Sequence, residues 1–429
     1  MSFAKHSVQM LVWRAASVLI ATATVILLAR WLGPVDRGEL AILVLSLSLA
    51  ALTIQFGLPE AIVYVIGSKR YAGEEIISTI IVYLTFVSSL LAIPGYWLLV
   101  RWGGIESSVS ALLVGTVILI VLLATTRHVL LARKNFGRYS ISVVAELSVY
   151  LVVLLVFKTI NILTVETALL AYGLSQLSAL IPLLLLQRAT TNIPISISSL
   201  RPAIIAHCYR YAFHLFLVGI GSFGARRINF FLLEFFLGLR AVGLFAAANS
   251  IPTIFSNLPQ QLSTVLYSHV ANSPGQDYSV WLTVLVFKLL TGLCVLAIIP
   301  IAVFVDPLVR LLFGPEFDSI GKTMVVLAIG MAITGLASLL FNSLAGSGHP
   351  RYGSYMTFIN VGVITGLAYL WIPVAGIEGA AWAHLATASV NLLFIAAVFC
   401  RKFNVAPTLF WSFSKMELRL LRSTILNRR

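Results

Sequence analysis

Charged residues are scarce in this sequence: Asp, Glu, Lys and Arg make up 10% of its 429 residues, and apolar residues make up 59%. Soluble domains ordinarily have about a quarter charged and nearer half apolar residues. This chain could not hide its apolar surface from water, so its composition excludes a soluble enzyme and predicts an integral membrane protein. Long polar stretches are missing too, which leaves no room for a separate soluble domain.

Cysteine is also rare. The three cysteines are far apart, lie in or beside apolar segments, and form no CxxC pair or metal-ligand spacing. This pattern excludes a disulfide framework and predicts buried thiols, with no metal and no cofactor. The histidines of the apolar segments are isolated as well, and we expect them to be core or interface side chains. These six residues are Cys208, Cys294, Cys400, His128, His214 and His384.

Long apolar stretches recur along the whole chain, separated by short polar breaks. A bilayer core about 30 Å thick needs roughly 20 consecutive apolar residues for each helix that crosses it. About twelve stretches meet this requirement, which predicts an all-α polytopic membrane protein. The second and the eighth are long enough to tilt or to end in an interfacial turn. The predicted spans are residues 10–30, 39–66, 76–100, 108–131, 139–157, 164–187, 210–236, 241–268, 279–305, 323–345, 354–373 and 377–399.

The net charge of +14 raises the question of nucleic-acid binding. With the N-terminus inside, 18 of the 29 Lys and Arg residues fall in segments predicted to face the cytoplasm, and seven fall in external ones. This asymmetry follows the positive-inside rule and predicts that both termini are cytoplasmic. A nucleic-acid footprint would need a folded basic face outside the membrane, which the sequence lacks. We therefore expect no nucleic-acid partner.

Two parts of the sequence are repeated. Residues 31–41 align without a gap on residues 236–246, with both glycines matched, and residues 131–139 align on residues 344–352. Both matches imply a displacement of six helices, so the halves are parallel and related by an axis along the membrane normal. Transporters built in this way hold their substrate between the halves. The repeat therefore predicts two parallel six-helix bundles around a central cavity.

The repeat also divides the chain. We predict an N-terminal six-helix bundle over 1–187, a cytoplasmic linker over 188–209 and a C-terminal six-helix bundle over 210–400. The Ser, Thr, Asn and Pro content of the linker segment is typical of a loop. Residues 401–429 have apolar residues at helical spacing with Lys and Arg between them, which predicts an amphipathic helix on the anionic cytoplasmic leaflet. A targeting or partner-binding tail is the alternative.

Arg226 and Arg227 lie in the middle of the seventh predicted span. An ionisable side chain at a helix centre costs roughly 2.5 to 3.5 kcal/mol on insertion scales, so it usually faces water or a partner. We predict that both line a cationic cavity; pairing of Arg227 with Glu234 is the alternative. Lys288 in the ninth span is a further cavity candidate. Arg14 is either a fourth cavity residue or a cytoplasmic anchor of the first span.

A cationic cavity in a transporter predicts an anionic substrate. The planar guanidinium donates bidentate hydrogen bonds that suit phosphate and pyrophosphate oxygens. Three carboxylates also lie in the predicted spans: Glu60, Glu146 and Glu234. Each could neutralise an arginine, which we expect as the ordinary role, or carry a coupling proton or sodium ion. The sequence leaves the identity of a coupling ion open.

Several short motifs follow one another in an order that one family shares. They are ARWLGP at 29–34 followed by Gly38, FGLP at 56–59, LFGPEF at 312–317, AGSG at 345–348 and IPVAGIEGAA at 372–381. In these motifs the chain resembles the polysaccharide flippases of the multidrug/oligosaccharidyl-lipid/polysaccharide exporter superfamily. The likeness covers nearly the whole chain. Each motif is degenerate, but their order and spacing are specific.

The resemblance implies a Wzx-like flippase, which moves undecaprenyl-pyrophosphate-linked repeat units of O-antigen or exopolysaccharide from the cytoplasmic to the periplasmic leaflet. It implies the bacterial inner membrane as the location. The implied partners are lipid-linked oligosaccharide, membrane lipids and the glycan polymerase machinery, and we expect a monomer. Arg226 and Arg227 are carried over only as lining residues, because they match no motif of the family.

Other functions fit parts of the pattern. A multidrug or cation antiporter of the same superfamily would favour a cavity dominated by carboxylates, whereas four basic candidates face three acidic ones here. A lipid II flippase typically has more helices than the twelve counted. A glycan polymerase or ligase would carry a large external loop, but the longest one, about 306–322, is short and has no acid–base pair. A structural membrane partner is the remaining alternative. We therefore expect a transporter and not an enzyme.

Overall fold

The computed structural model describes residues 2–67, 71–101, 103–133, 135–190, 200–271, 276–349 and 351–410. Every regular element within these ranges is a helix, and nine helices there are long and apolar enough to cross a membrane. The all-α, polytopic prediction is thereby confirmed. The α-helices are α1 (Ser2–Gln55), α2 (Leu58–Gly67), α3 (Gly73–Arg101), α4 (Ser107–Ala132), α5 (Phe136–Thr159), α6 (Val165–Thr190), α7 (Pro202–Leu237), α8 (Leu239–Ser250), α9 (Thr253–Ala271), α10 (Gln276–Val303), α11 (Val305–Leu312), α12 (Gly321–Gly346) and α13 (Arg351–Phe403).

Glycines break the two longest helices and so account for further spans. Gly33 in α1 has φ 76° and ψ 175°, and Gly376 in α13 has φ 61° and ψ −138°. Both φ values are positive, a conformation that glycine adopts without a Cβ clash. The break at Gly33 therefore separates the first predicted span from the second, and the break at Gly376 separates the eleventh from the twelfth. Because α8 and α9 together form the eighth span, all twelve predicted spans correspond to helices.

The second and eighth spans, which the sequence predicts to be unusually long, are both interrupted. After α1 the chain turns at Phe56 and Gly57, whose φ values are 47° and 73°, and α2 then begins. A turn at residues 251–252 separates α8 from α9. The two turns account for the excess length of these spans over the roughly 20 residues that cross a bilayer.

The chain forms two compact units. The first comprises Met1–Phe231 and Leu239–Gly243, and the second comprises Leu232–Gly238 and Leu244–Arg429. Within the first unit, one apolar core joins α1, α4, α5 and α6. Another joins α1, α2, α3 and α4 with the first half of α7. Burial of these apolar faces between helices leaves the other faces of the same helices for lipid or water.

The start of α7 packs against the turn between α1 and α2. A Cβ atom on Gly57 would lie 2.4 Å from the carbonyl oxygen of Ala212, so only glycine lets the two backbones approach this closely. The ring of Phe56 stacks on that of Phe216, with 4.4 Å between the ring centres. These contacts attach α7, the helix that carries the two predicted arginines, to the first unit.

In the second unit, apolar residues of α9, α10, α12 and α13 form the core. Small residues on α12 let its neighbours approach closely. A Cβ atom on Gly335 would lie 2.7 Å from Cγ of Pro259, and one on Gly330 would lie 2.8 Å from Cδ2 of His384. His384 is therefore a tightly packed side chain. Of the cysteines, Cys208 and Cys294 are buried, while Cys400 is partly exposed.

The motif LFGPEF lies in the predicted external loop, which is folded. After α11 the chain turns at Gly314, with φ 97°, and forms a 3-10 helix over Pro315–Ile320. Phe313 and Phe317 are 2% and 1% exposed, with 5.8 Å between their ring centres. The motif therefore combines a turn that needs glycine with two aromatic anchors that fix the loop to the second unit.

Two predicted segments extend beyond the described residues. Within the linker 188–209, residues 191–199 are not described, and α7 already begins at Pro202. Within the tail 401–429, the described part ends α13 and forms a short 3-10 helix at Pro407–Phe410, which packs on the core of the second unit. The predicted amphipathic helix falls at 411–429, outside the described residues.

Candidate functional site

The helix α7 carries Arg226 and Arg227. Arg226 is exposed, and Arg227 is partly buried, with its guanidinium carbon 5.8 Å from the centre of the Phe230 ring. Among the residues that the structure describes, neither guanidinium has a carboxylate within ion-pair distance. Glu234 is exposed further along the same helix and does not pair with Arg227. The two arginines thus place adjacent, uncompensated positive charges on α7.

Open space lies beside Arg227 on α7. Gly224 lies about one turn before Arg227, and a Cβ atom added to it would meet no heavy atom within 4 Å. On the packed side, Asn229 and Phe230 are only 6% and 4% exposed. Two guanidiniums in hydrocarbon would cost roughly 5 to 7 kcal/mol, so we expect both side chains to contact water or a polar ligand rather than lipid, and their place on the wall of a cavity stays a prediction.

The two other basic candidates differ from this pair. Lys288 on α10 is only 6% exposed, packs beside the core of the second unit and takes part in an interaction there. A buried, engaged ammonium group does not by itself offer an open anion site, so the cavity role of Lys288 stays a prediction. Arg14 belongs to α1, but its side chain lies outside the described residues.

Glu146 on α5 is held by a group of polar side chains inside the first unit. Its Oε2 lies 2.6 Å from Nη2 of Arg127 on α4, and its Oε1 accepts a hydrogen bond from Nε2 of Gln176 on α6 at 3.0 Å. Arg127 also donates from Nε to the Ser142 hydroxyl at 2.9 Å. The side chains of Arg127 and Glu146 are 15% and 13% exposed. Three helices thus meet at an ion pair whose charges are compensated and hydrogen-bonded.

The sequence analysis counts Arg127 among the Lys and Arg residues predicted to face the cytoplasm and predicts no partner for it. Arg127 lies inside α4, and its guanidinium points to Glu146 rather than to a loop. Arg127 already fell within the predicted span 108–131, so a search for opposite charges in neighbouring spans could have suggested the pair. No sequence signal identified Gln176 or Ser142, because uncharged polar residues are common in membrane helices.

Glu60 on α2 faces His128 on α4. The distance from Oε1 of Glu60 to Nε2 of the imidazole is 3.9 Å, and the two side chains are 42% and 25% exposed. Nδ1 of His128 lies 2.8 Å from the Ala124 carbonyl oxygen, a distance at which Nδ1–H donates to the carbonyl and leaves Nε2 toward Glu60. His128 is therefore not an isolated histidine, and Glu60 is less tightly held than Glu146.

Comparison with known proteins identifies a family and a fold. A model of the family described as polysaccharide biosynthesis protein matches residues 7–267. Comparison with curated protein sequences gives no match. More than half of the chain is thus covered by one family model, which runs from within α1 to within α9 and includes both arginines of α7.

Solved structures of two kinds of transporter have this fold. The lipid II flippase MurJ in an inward closed conformation gives a TM-score of 0.77 at 14% identity, over 98% of this chain and 93% of MurJ. An outward-facing multidrug resistance MATE family transporter of the MOP superfamily gives 0.65 at 16% identity, over 93% and 94% of the two chains. The eukaryotic MATE transporter AtDTX14 gives 0.59 at 16% identity, over 94% and 99%. At these identities the likeness establishes the fold, with its two helical bundles, and leaves the substrate to be argued from the site.

Proposed function

Because the chain belongs to the polysaccharide biosynthesis protein family, we propose that it is a flippase for lipid-linked oligosaccharides. The proposed cargo is an undecaprenyl-pyrophosphate-linked repeat unit of O-antigen or exopolysaccharide. It is moved by alternating access from the cytoplasmic to the periplasmic leaflet of the bacterial inner membrane. The observation that carries this proposal is the uncompensated pair Arg226 and Arg227 on α7, with open space beside Arg227.

The chemistry of the arginines suits a pyrophosphate. A pyrophosphate that is esterified at both ends carries about two negative charges, which two guanidiniums match, and each guanidinium can donate two parallel hydrogen bonds to phosphoryl oxygens. Adjacent helix positions are about 100° apart, so Arg226 and Arg227 diverge and reach different oxygens of the same group. The Phe230 ring near Arg227 orients that guanidinium by a cation–π contact.

The contacts of the three candidate carboxylates favour a flippase over a cation antiporter. A cation antiporter requires carboxylates that are free to bind a cation. Glu146 is held by Arg127 and Gln176, and Glu60 faces His128, which leaves Glu234 as the one of the three candidates without such a contact among the described residues. We therefore rank a multidrug or cation antiporter second. Glu60 and Glu234 are the carboxylates with exposed side chains, so we propose them before Glu146 as sites for a coupling proton or sodium ion.

Lipid II flipping is a closely related alternative, because that cargo also carries a polyprenyl pyrophosphate. Helix number does not separate the two functions, since the chain covers 93% of MurJ. We further propose that both termini are cytoplasmic, that the protein acts as a monomer beside the glycan polymerase machinery, and that it catalyses no chemical reaction. Lys288 and Arg14 remain candidates for additional anion contacts.

Deletion of the gene tests the cargo. We expect lipid-linked repeat units to accumulate on the cytoplasmic leaflet and surface glycan to be lost, as measured by lipid extraction and by glycan gels. Normal surface glycan together with new sensitivity to dyes or drugs would favour the antiporter. Depletion that stops peptidoglycan synthesis while surface glycan persists would favour lipid II as the cargo.

The double variant R226Q/R227Q tests the site. Charge-assisted hydrogen bonds contribute about 1.5 to 3 kcal/mol each, so the loss of one arginine should lower transport roughly 10- to 100-fold and the loss of both should abolish it. The matched control is R101Q/K158Q, which removes two exposed cations from other helices. Both variants should reach the membrane at the wild-type level. Glycan export by R226Q/R227Q equal to that of the control would overturn the proposed site.

A further inference from the structure

The helix α10 ends in a surface that is apolar throughout. Every exposed residue from 289 to 304 is apolar, and the exposed fractions of Leu296 and Val303 reach 70% and 67%. Other faces of this helix contribute to the core of the second unit. Because a helix that crosses a membrane turns its exposed apolar residues to the acyl chains, this surface is the lipid-facing side of α10. It extends to the last residue of the helix.

The same apolar surface continues beyond α10 onto the short helix α11. Phe304, the residue between the two helices, is 63% exposed, and Leu311 in the last turn of α11 is 70% exposed. Leu308 lies between them along the chain and is half-buried. Positions three and four apart on a helix differ by about 60° and 40°, so the three residues share one side of α11. We call Phe304, Leu308 and Leu311 the apolar side of α11.

The charged residues of α11 lie on another side and find their partners within the protein. Arg310 is two positions, about 200°, from Leu308. Its Nη2 lies 2.8 Å from Oδ2 of Asp318, and its Nε donates to the same carboxylate at 2.9 Å. A Cβ atom on Gly321, the first residue of α12, would lie 2.8 Å from Oδ1 of Asp306. The Asp306 carboxylate therefore lies at the N-terminus of α12, where a negative charge is favourable.

The third side of α11 is packed. Val309 is fully buried, and α11 contacts α10, α12 and the 3-10 helix over Pro315–Ile320. The buried rings of Phe313 and Phe317 hold the turn that follows. These contacts fix the rotation of α11 about its own axis, so the exposure of its apolar side is a property of the fold.

A helix with these three sides has one environment in which all of them are satisfied. In hydrocarbon, the exposed charges of Asp306 and Arg310 would be costly. In water, the apolar side of α11 would extend the exposed apolar surface of α10 without cover. A helix that lies along the membrane–water boundary turns its apolar side to the acyl chains and its charged side to water.

We propose that α11 lies along the membrane–water boundary of the external leaflet, with its apolar side inserted between the lipids. It attaches the end of α10 and the beginning of α12 to the bilayer surface and so sets the depth of the second unit. The bound partner is the acyl-chain region and not a particular headgroup, since Arg310 has its counter-charge in Asp318. The proposal holds for any cargo and gives the LFGPEF loop a role, because that loop fixes α11 in place.

Spin labels test the position of α11 in the full chain, with its three cysteines replaced by alanine. F304C and L311C place labels on the apolar side, whereas E316C and S319C place them at exposed positions of the 3-10 helix. L296C on α10 is the hydrocarbon reference. In phosphatidylethanolamine/phosphatidylglycerol nanodiscs, collisions with oxygen, which concentrates in lipid, are compared with collisions with nickel ethylenediaminediacetate, which stays in water.

We expect oxygen to dominate at the F304C and L311C labels, at a depth of about 5 to 10 Å into the boundary and shallower than the L296C label. Nickel should dominate at E316C and S319C. The same result is expected in phosphatidylcholine nanodiscs, because no anionic headgroup is required.

Two outcomes would overturn the position of α11. Dominance of nickel at F304C and L311C would place α11 in water, and labels that neither reagent reaches would place its apolar side under protein. A depth that depends on phosphatidylglycerol would overturn the acyl-chain region as the partner.

Bilayer thickness tests the attachment itself. A label at V303C should keep its depth below the headgroups in dimyristoyl and dioleoyl phosphatidylcholine nanodiscs, because α11 holds this end of α10 at the boundary. F304S/L311S removes two residues of the apolar side, so the label should lie deeper in the thicker dioleoyl bilayer. The matched control L293S/L296S makes the same change on the lipid-facing side of α10 and should keep the depth constant. Equal behaviour of F304S/L311S and the control would contradict the attachment.

Discussion

Two arginine sites of the first unit differ in burial, in counter-charge and in hydrogen bonding. Arg127 lies between three helices, 15% exposed, with a carboxylate at 2.6 Å and a hydroxyl at 2.9 Å. Arg226 and Arg227 lie side by side on one helix, with open space beside Arg227 and without a carboxylate partner among the described residues. Both sites are charged groups inside apolar helices, so sequence composition treats them alike.

The difference teaches how to separate structural from functional charges in a membrane protein. A charge whose hydrogen bonds and counter-charge come from the protein stabilises the arrangement of helices and has little left to offer a ligand. A charge that the protein leaves uncompensated retains its capacity to bind and must be satisfied by water or substrate. The first kind should affect stability when it is changed, and the second kind should affect transport.

The largest effect on stability is expected for R127Q. This change leaves Glu146 buried without its counter-charge, which should lower the free energy of unfolding by about 3 to 5 kcal/mol. The measurement is thermal unfolding of the detergent-solubilised protein. The double variant R127M/E146L removes both charges and should recover most of the loss, since apolar replacement of a buried pair is often neutral or stabilising. A double variant as unstable as R127Q would contradict this account of the pair.

For Arg226 and Arg227 we expect a loss of transport without a loss of stability. R226K and R227K keep the charge but lose the planar fork, so each should reduce transport by roughly tenfold, a loss of about 1.4 kcal/mol of cargo interaction. Thermal unfolding should stay at the wild-type temperature in both variants, because neither arginine has a carboxylate partner among the described residues that the change would leave unpaired. A lowered unfolding temperature at wild-type transport would show that these arginines are structural, like Arg127.

The pair of Glu60 and His128 lies between the two extremes. It is partly exposed, and Oε1 of Glu60 lies 3.9 Å from Nε2 of His128, so E60Q should lower the free energy of unfolding by less than about 1 kcal/mol. The effect of E60Q on transport distinguishes a pairing role of Glu60 from a role in binding a coupling ion. A loss of transport without a loss of stability would assign Glu60 to ion coupling. Q176L, which removes an uncharged neighbour of Glu146, is the control and should leave transport unchanged.

The smallest effect is expected at the exposed ion pair between Arg310 on α11 and Asp318 on the 3-10 helix. Arg310 donates from Nε to Asp318 at 2.9 Å, and the hydrogen bond and charge of Asp318 raise the pKa of Arg310. Because of the raised pKa, the guanidinium stays charged through the neutral range and loses its proton only under strongly alkaline conditions. D318N should therefore leave the unfolding temperature between pH 5 and pH 9 almost unchanged, because exposed pairs contribute little. A clear drop in the unfolding temperature of D318N would show that the ion pair, and not only the packing of Phe313 and Phe317, stabilises this loop.

Much of the fold could be predicted because its signals are local. The breaks at Gly33 and Gly376 fall between predicted spans, and the long second and eighth spans turn at Phe56–Gly57 and at 251–252. The candidate site was predictable to the same extent: Arg226 and Arg227 stand out in an apolar run without knowledge of their neighbours. Their freedom from carboxylate partners was not predictable, because Glu234 on the same helix was an equally suitable partner by spacing.

The sequence by itself determined which segments cross the membrane and where they break, because a helix in lipid must satisfy its own backbone hydrogen bonds within the segment. It also determined that the halves repeat, down to the two glycines of each copy. Only the tertiary structure decided that Arg127 is compensated while Arg226 and Arg227 are not, and that the backbone of Gly57 meets that of Ala212. Partnership between side chains and close approach of backbones depend on how helices distant in the chain pack together, and no local pattern records that packing.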